Sequence, residues 1–117
     1  MTFNEAITEI GVNTEETLRR FSGNAGLMEK FIRKFPQDNT LQSLEAAIAA
    51  KDYQAIEETA HTLKGVSGNL GFTKLYELSA ALVTAVRAKD YAKADELSPQ
   101  VTEKCHAVLD TLAKIDN

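Results

Sequence analysis

The tetrapeptide Ala50-Lys51-Asp52-Tyr53 recurs as Ala88-Lys89-Asp90-Tyr91, and Gly71 stands midway between the two copies. In each copy the lysine suits the last turn of one helix and the aspartate the N-cap of the next, so each marks a tight helix–helix turn. Gly71 reads as a helix terminator, with Thr73 as the cap of the helix that follows. These breaks divide the chain beyond residue 23 into segments of helical length, about 24–51, 53–70, 73–88 and 91–115. Connections this short make consecutive helices antiparallel neighbours. The expected fold is all-α: an antiparallel up-down four-helix bundle with a short extra N-terminal helix packed across it, one domain over residues 1–117.

The remaining boundaries follow from local chemistry. Phe3 to Glu9 reads as the short N-terminal helix, ending before Gly11. Asn13 or Thr14 can cap a second one carrying Leu18 and Phe21, and Ser22-Gly23-Asn24 forms a turn and cap. Leu27, Phe31 and Phe35 repeat at helical spacing, as do Leu41, Leu44 and Ile48. Pro36 interrupts the two stripes and predicts a kink or break at Phe35.

Composition removes several classes of function. A net charge of −4 without a basic cluster weighs against nucleic acid and anionic membrane surfaces as partners. The longest strictly apolar run is Ala46 to Ala50, far short of a membrane span, and the first ten residues lack the pattern of a signal peptide. A single cysteine, Cys105, excludes an intrachain disulfide and favours a reducing, cytoplasmic setting. Cys105 falls near the edge of a core stripe and reads as a small packing residue.

His61 is the residue with chemistry to offer. At 100° per residue, Ile56, Ala60, Leu63, Ser67 and Leu70 share one stripe that must face the core, with Thr59 and Val66 at its edge. His61 lies roughly 160° from the centre of that stripe, on the solvent side. Gly65 and Gly68 flank its direction, although glycine in an exposed helix interior costs about 1 kcal/mol relative to alanine. Their use is clearance, which lets another protein approach the ring closely. Lys64 stands one turn along, near enough to offset negative charge on a group attached to His61. A nucleophilic imidazole on a bare helical surface suits group transfer between proteins.

The segment His61, Leu63-Lys64-Gly65, Ser67 and Gly71 resembles the signature of histidine-containing phosphotransfer (HPt) domains. Ala60, the upstream run Arg20-Phe21-Ser22-Gly23-Asn24, and Leu75, Leu78 and Leu82 agree with it, so the resemblance covers most of the chain. It implies a four-helix bundle without enzymatic activity of its own. Such a bundle accepts a phosphoryl group from the aspartyl phosphate of one response-regulator receiver and passes it to another. By that resemblance His61 is the phosphoacceptor, with Lys64 and Arg87 stabilising the phosphoryl group and Gly65 and Gly68 giving the receiver access. Tyr76, Ala80 and Val83 form a stripe on the next helix edge, and Phe3 and Ile7 extend it, either as docking residues or as inter-helix packing. Some members place a glutamine where Val83 stands, to orient the imidazole; valine cannot. No cofactor of the chain's own is expected, and Mg2+ comes from the receiver's acidic pocket. Receiver domains and a hybrid histidine kinase are the expected partners, and the chain is expected to be monomeric because a transient contact needs an open face.

Three other readings compete. Glu58-Thr59-Ala60-His61 and Glu103-Lys104-Cys105-His106 are two Glu-x-x-His elements of the kind found in di-metal carboxylate bundles. That site needs both histidines inward, and His106 lies about 145° from its own helix's apolar stripe, which leaves it merely solvated. A helical adaptor that never carries phosphate is the second reading, and it has no need of His61. The third, within the same family, is the phosphoacceptor module of a chemotaxis-type kinase.

Overall fold

The computed structural model describes residues 1–116, which form helices joined by short turns, with no strand among them. The helices are α1 (Phe3–Ile10), α2 (Thr14–Arg20), α3 (Ala25–Lys34), α4 (Thr40–Ala49), α5 (Tyr53–Leu70), α6 (Thr73–Arg87) and α7 (Tyr91–Ala113). Helix α5 packs between α4 and α6, α6 packs on α7, and α7 contacts α4 to close the ring. Leu44, Leu63, Leu75, Leu82 and Val101, one or more from each of these four helices, are fully buried inside it. Helix α1 rests on α7 from outside, seated by the buried Ala6, Ile7 and Ile10.

The repeated tetrapeptide makes the same turn twice. Lys51 and Lys89 both take the left-handed conformation, with φ of 52° and 57°. The N–H groups of Asp52 and Asp90 donate back to the carbonyls of Ala47 and Ala85 at 3.0 and 2.9 Å. Each aspartate then caps the next helix, its carboxylate accepting from the N–H of Ala55 or Lys93 at 3.1 Å. The two tyrosines stack at 4.2 Å between centroids, and the Tyr53 hydroxyl donates to Asp95 at 2.9 Å, so the two turns are fastened together.

Pro36 breaks the first long segment rather than kinking it. Helix α3 ends at Lys34, a single 3-10 turn covers Phe35–Gln37, and α4 restarts at Thr40, whose N–H donates to the Asp38 carboxylate at 2.7 Å. Proline lacks the N–H that would continue the ladder, and its ring crowds the preceding turn. The expected helix over 24–51 is therefore two. The break also reassigns the apolar face. Met28, Ile32 and Phe35 point inward, whereas Leu27 and Phe31 remain 38% and 46% exposed, so the Leu27–Phe31–Phe35 spacing does not mark one buried stripe. A second boundary also differs, since Phe72 precedes α6 without a side-chain cap and Thr73 is the first helical residue.

Helix α2 is fastened to the C-terminal end of α5. The Arg20 guanidinium donates to the Gly68 carbonyl at 2.7 Å, and the Asn13 N–H donates to the Gly71 carbonyl at 3.2 Å. Gly71 takes φ of 78° and lies against Thr17, so that any β-carbon there would overlap the threonine hydroxyl. That hydroxyl is buried without a hydrogen-bond partner. Gly71→Ala therefore combines left-handed strain with a steric overlap and should cost about 2–4 kcal/mol. Thr17→Val removes an unpaired buried hydroxyl at nearly constant shape and should hold or raise stability by up to about 1 kcal/mol. Urea unfolding midpoints at unchanged slope measure both.

Candidate functional site

Helix α5 carries the site because it is buried on one side and open on the other. Ala60, Leu63 and Ser67 are fully buried, and His61 between them is exposed. The Ser67 hydroxyl donates to the Leu63 carbonyl at 2.7 Å, which commits it to the helix itself. The capping Asp52 and the left-handed Gly71 hold the two ends of the helix, which offsets the two glycines in its interior.

His61 lies on a shallow depression of about 540 Å³, shared with Lys64, Gly65, Gly68, Tyr76 and Arg20. Among the described residues no hydrogen bond or ion pair engages the imidazole, and the residue is exposed. The two glycines differ in their surroundings. A β-carbon on Gly65 would meet nothing within 4 Å, while one on Gly68 would stand 3.1 Å from Cδ2 of Tyr76. Nothing in the chain's own packing requires glycine at position 65. Position 68 is crowded by the Tyr76 ring.

The cations divide in the same way. The Lys64 ammonium stands 5.9 Å from the Tyr76 ring centroid, on the rim of the depression. Arg87, at the last turn of α6, pairs with Glu57 at 3.5 Å and does not line the depression. Arg20 does line it, although 41 residues separate it from His61. No periodicity links those two positions; only the docking of α2 on α5 brings them together.

The expected docking stripe is largely consumed by the fold. Val83 and Ile7 are only 2% and 5% exposed, packed in the core between helices and beneath α1 respectively, and neither can meet a partner. Phe3 is half-buried under the Arg33 guanidinium at 5.6 Å, and Ala80 is half-buried; neither lines the depression. Tyr76 alone of that set is on it, 40% exposed. The exposed apolar surface lies instead on the other flank of α5. There Phe21 and Phe31, 5.6 Å apart between centroids, line a groove of about 410 Å³ with Val66, bordered by Lys34. Arg20 and Asn69 line both hollows, so the two are adjacent.

The other titratable candidates lie elsewhere. The His106 ring pairs with Glu45 at 3.1 Å, bridging α7 to α4 rather than standing merely solvated. Cys105 is fully buried, and burial pushes its thiol up to about 12, with Asp38 and Glu45 adding to the rise. Among the described residues no three His, Cys, Asp or Glu side chains gather as a metal-binding group. The di-metal arrangement needs both histidines inside the bundle, and both are exposed. No helix among the described residues is long and apolar enough to cross a membrane.

The site is thus an exposed imidazole on a helix of an all-α bundle, with a lysine beside it and apolar surface alongside. The Hpt domain family matches residues 26–114, and the chain belongs to that family, whose members serve phosphotransfer in two-component phosphorelays. Neither a curated protein nor a solved structure gives a significant match. The family match begins inside α3, so α1 and α2, with Arg20, lie outside it.

The contrast between the glycines is measurable. Gly65→Ala adds helix propensity in open space and should raise stability by about 0.5–1 kcal/mol. Gly68→Ala must first displace the Tyr76 ring and should gain less or lose stability. Thermal and urea unfolding of the two variants compare them directly.

Proposed function

We propose that this chain is a phosphorelay intermediate, accepting a phosphoryl group on His61 from a receiver aspartyl phosphate and passing it to the aspartate of another receiver. The observation that carries the reading is the unobstructed imidazole of His61 beside the vacant position at Gly65. In this reading the whole of residues 1–117 acts as one unit, and α4 to α7 form its antiparallel four-helix frame.

A ring nitrogen of His61 attacks phosphorus in line. The new N–P bond forms as the P–O bond to the aspartyl carboxylate breaks, and the electron pair returns to that carboxylate. We assign the attack to Nε2, the outer nitrogen, with the spare imidazole proton passing to water. Because such a transfer depends on positioning and charge, the bundle need only hold the ring still and bring Lys64 near the phosphoryl oxygens. Arg87 is committed to Glu57 and is secondary in this role. Charge neutralisation by Mg2+ belongs to the receiver's acidic pocket. The chain is a carrier, not an enzyme, and works as a cytoplasmic monomer toward receiver domains and a hybrid kinase.

Docking is assigned to the Phe21–Phe31 groove in place of the α1 and α6 stripe. It supplies the exposed apolar area that Ile7 and Val83 cannot, and it adjoins the His61 depression across Arg20 and Asn69. A tidy set of aromatic side chains beside cations is the composition of an interface centre.

A panel of purified receivers, phosphorylated with acetyl phosphate, tests the reading. One or more should transfer acid-labile, base-stable label to the chain, and His61→Gln should abolish it; label that survives His61→Gln places the acceptor on another residue and overturns the reading, and none from any receiver favours an adaptor. Phe31→Ala should raise the receiver concentration for half-maximal transfer about fivefold, the scale of a moderate interface residue. Gly65→Leu should slow transfer from receivers at least tenfold by blocking their approach.

A further inference from the structure

We propose that Tyr76 is a positioning residue for Lys64, holding the ammonium on the rim of the His61 depression without neutralising it; this rests on the carrier reading above. Lys64 is one turn beyond His61 on the side of α5 that faces α6, and its Nζ stands 5.9 Å from the Tyr76 ring centroid. That distance is within reach of a cation–π attraction. The ring in turn leans on α5 where Gly68 has no side chain, its Cδ2 only 3.1 Å from the point a β-carbon would take. All four residues line the same hollow.

The neighbouring carboxylates show why an aromatic face matters here. Glu57 is engaged by Arg87 at 3.5 Å and Glu16 by Arg20 at 3.2 Å, while Glu77 stands beside Tyr76 in the sequence and also lines the hollow. A lysine drawn into an ion pair with any of them would have its charge offset before a phosphoryl group arrived. The π-face attracts the ammonium yet carries no net charge, so the full positive charge remains for the incoming oxygens. It also restrains a long side chain that would otherwise wander through many rotamers. On this account Gly68 is small to seat the ring, and only Gly65 is small for the visiting protein.

Phosphoramidate is the probe, used on the full chain so that no docking partner enters the measurement. The imidazole nitrogen forms the N–P bond, the P–NH3+ bond breaks, ammonia leaves, and the spare imidazole proton goes to water. Tyr76→Leu should slow labelling of His61 about two- to fivefold, the range an exposed cation–π contact supplies, while Tyr76→Phe stays near the wild-type rate. Lys64→Ala combined with Tyr76→Leu should be no slower than Lys64→Ala alone. Proton NMR adds a readout independent of labelling: the Lys64 ε-methylene should be shifted upfield by the ring, and Tyr76→Leu should remove the shift. Wild type without label at His61 overturns the carrier reading and this role with it. Label at His61 that Tyr76→Leu leaves unchanged, additive slowing in the double variant, or an unshifted Lys64 methylene overturns this role alone.

Discussion

The left-handed turn at Gly71 is the constraint from which the arrangement of the site follows. With φ of 78° the chain reverses at once, so α6 returns along α5 rather than beside some other helix. That return sets Tyr76 across Gly68, one turn from the end of α5, and sets Arg87 opposite Glu57 near its start. The same glycine leaves its Cα face bare, and Thr17 fills it, which brings α2 close enough for Arg20 to reach the Gly68 carbonyl. The carbonyls near the end of a helix lack partners within it, and a guanidinium there also opposes the negative end of the helix dipole. One backbone conformation thus determines both which helix flanks His61 and which cation caps its helix.

Much of this was legible in the sequence, and the reason is local. The direction of His61 depends only on the period of one uninterrupted helix, and Ile56, Ala60, Leu63, Ser67 and Leu70 are all buried as that period requires. The repeated Lys-Asp turns were equally legible, because capping chemistry acts over three or four residues. Where tertiary packing decides, the sequence was silent or misleading. Leu27 and Phe31 share a helical spacing with Phe35, but Pro36 ends α3 there, and α3 turns its Met28–Ile32 face inward instead. Val83 and Ile7 lie on helix edges that single-helix geometry leaves ambiguous; neighbouring helices cover both. Arg20 entered only through the upstream Arg20–Asn24 run, with nothing to place it at the site, since that depends on contacts 48 residues away in sequence.

The interactions around the site are weak ones, and that suits its task. The ion pairs near it, Arg20–Glu16 and Arg87–Glu57, are largely exposed and contribute little to stability. Stability comes instead from the fully buried Leu44, Leu63, Leu75 and Leu82 on the far side of α5 and from its helical neighbours. In the proposed carrier role the phosphoryl group must leave as readily as it arrives, so a site that bound phosphate tightly would defeat transfer. Separating the energy of folding from the surface of transfer lets that surface remain polar, open and only lightly cationic.

Gly65 and Gly68 sharpen the point, because single-helix reasoning gives them the same meaning. Both sit on the exposed half of α5 beside His61, and both forgo the helix-forming advantage of alanine. Their surroundings separate them: one faces empty space and the other a tyrosine ring. The first forgoes stability without any return inside the molecule, which the proposed approach of a receiver to His61 would explain. The second is explained from within, by the ring packed closely against the missing β-carbon's place. An unfilled vacancy beside the proposed phosphoacceptor therefore bears on a partner as glycine by itself does not, and only coordinates distinguish the vacancy from the seat.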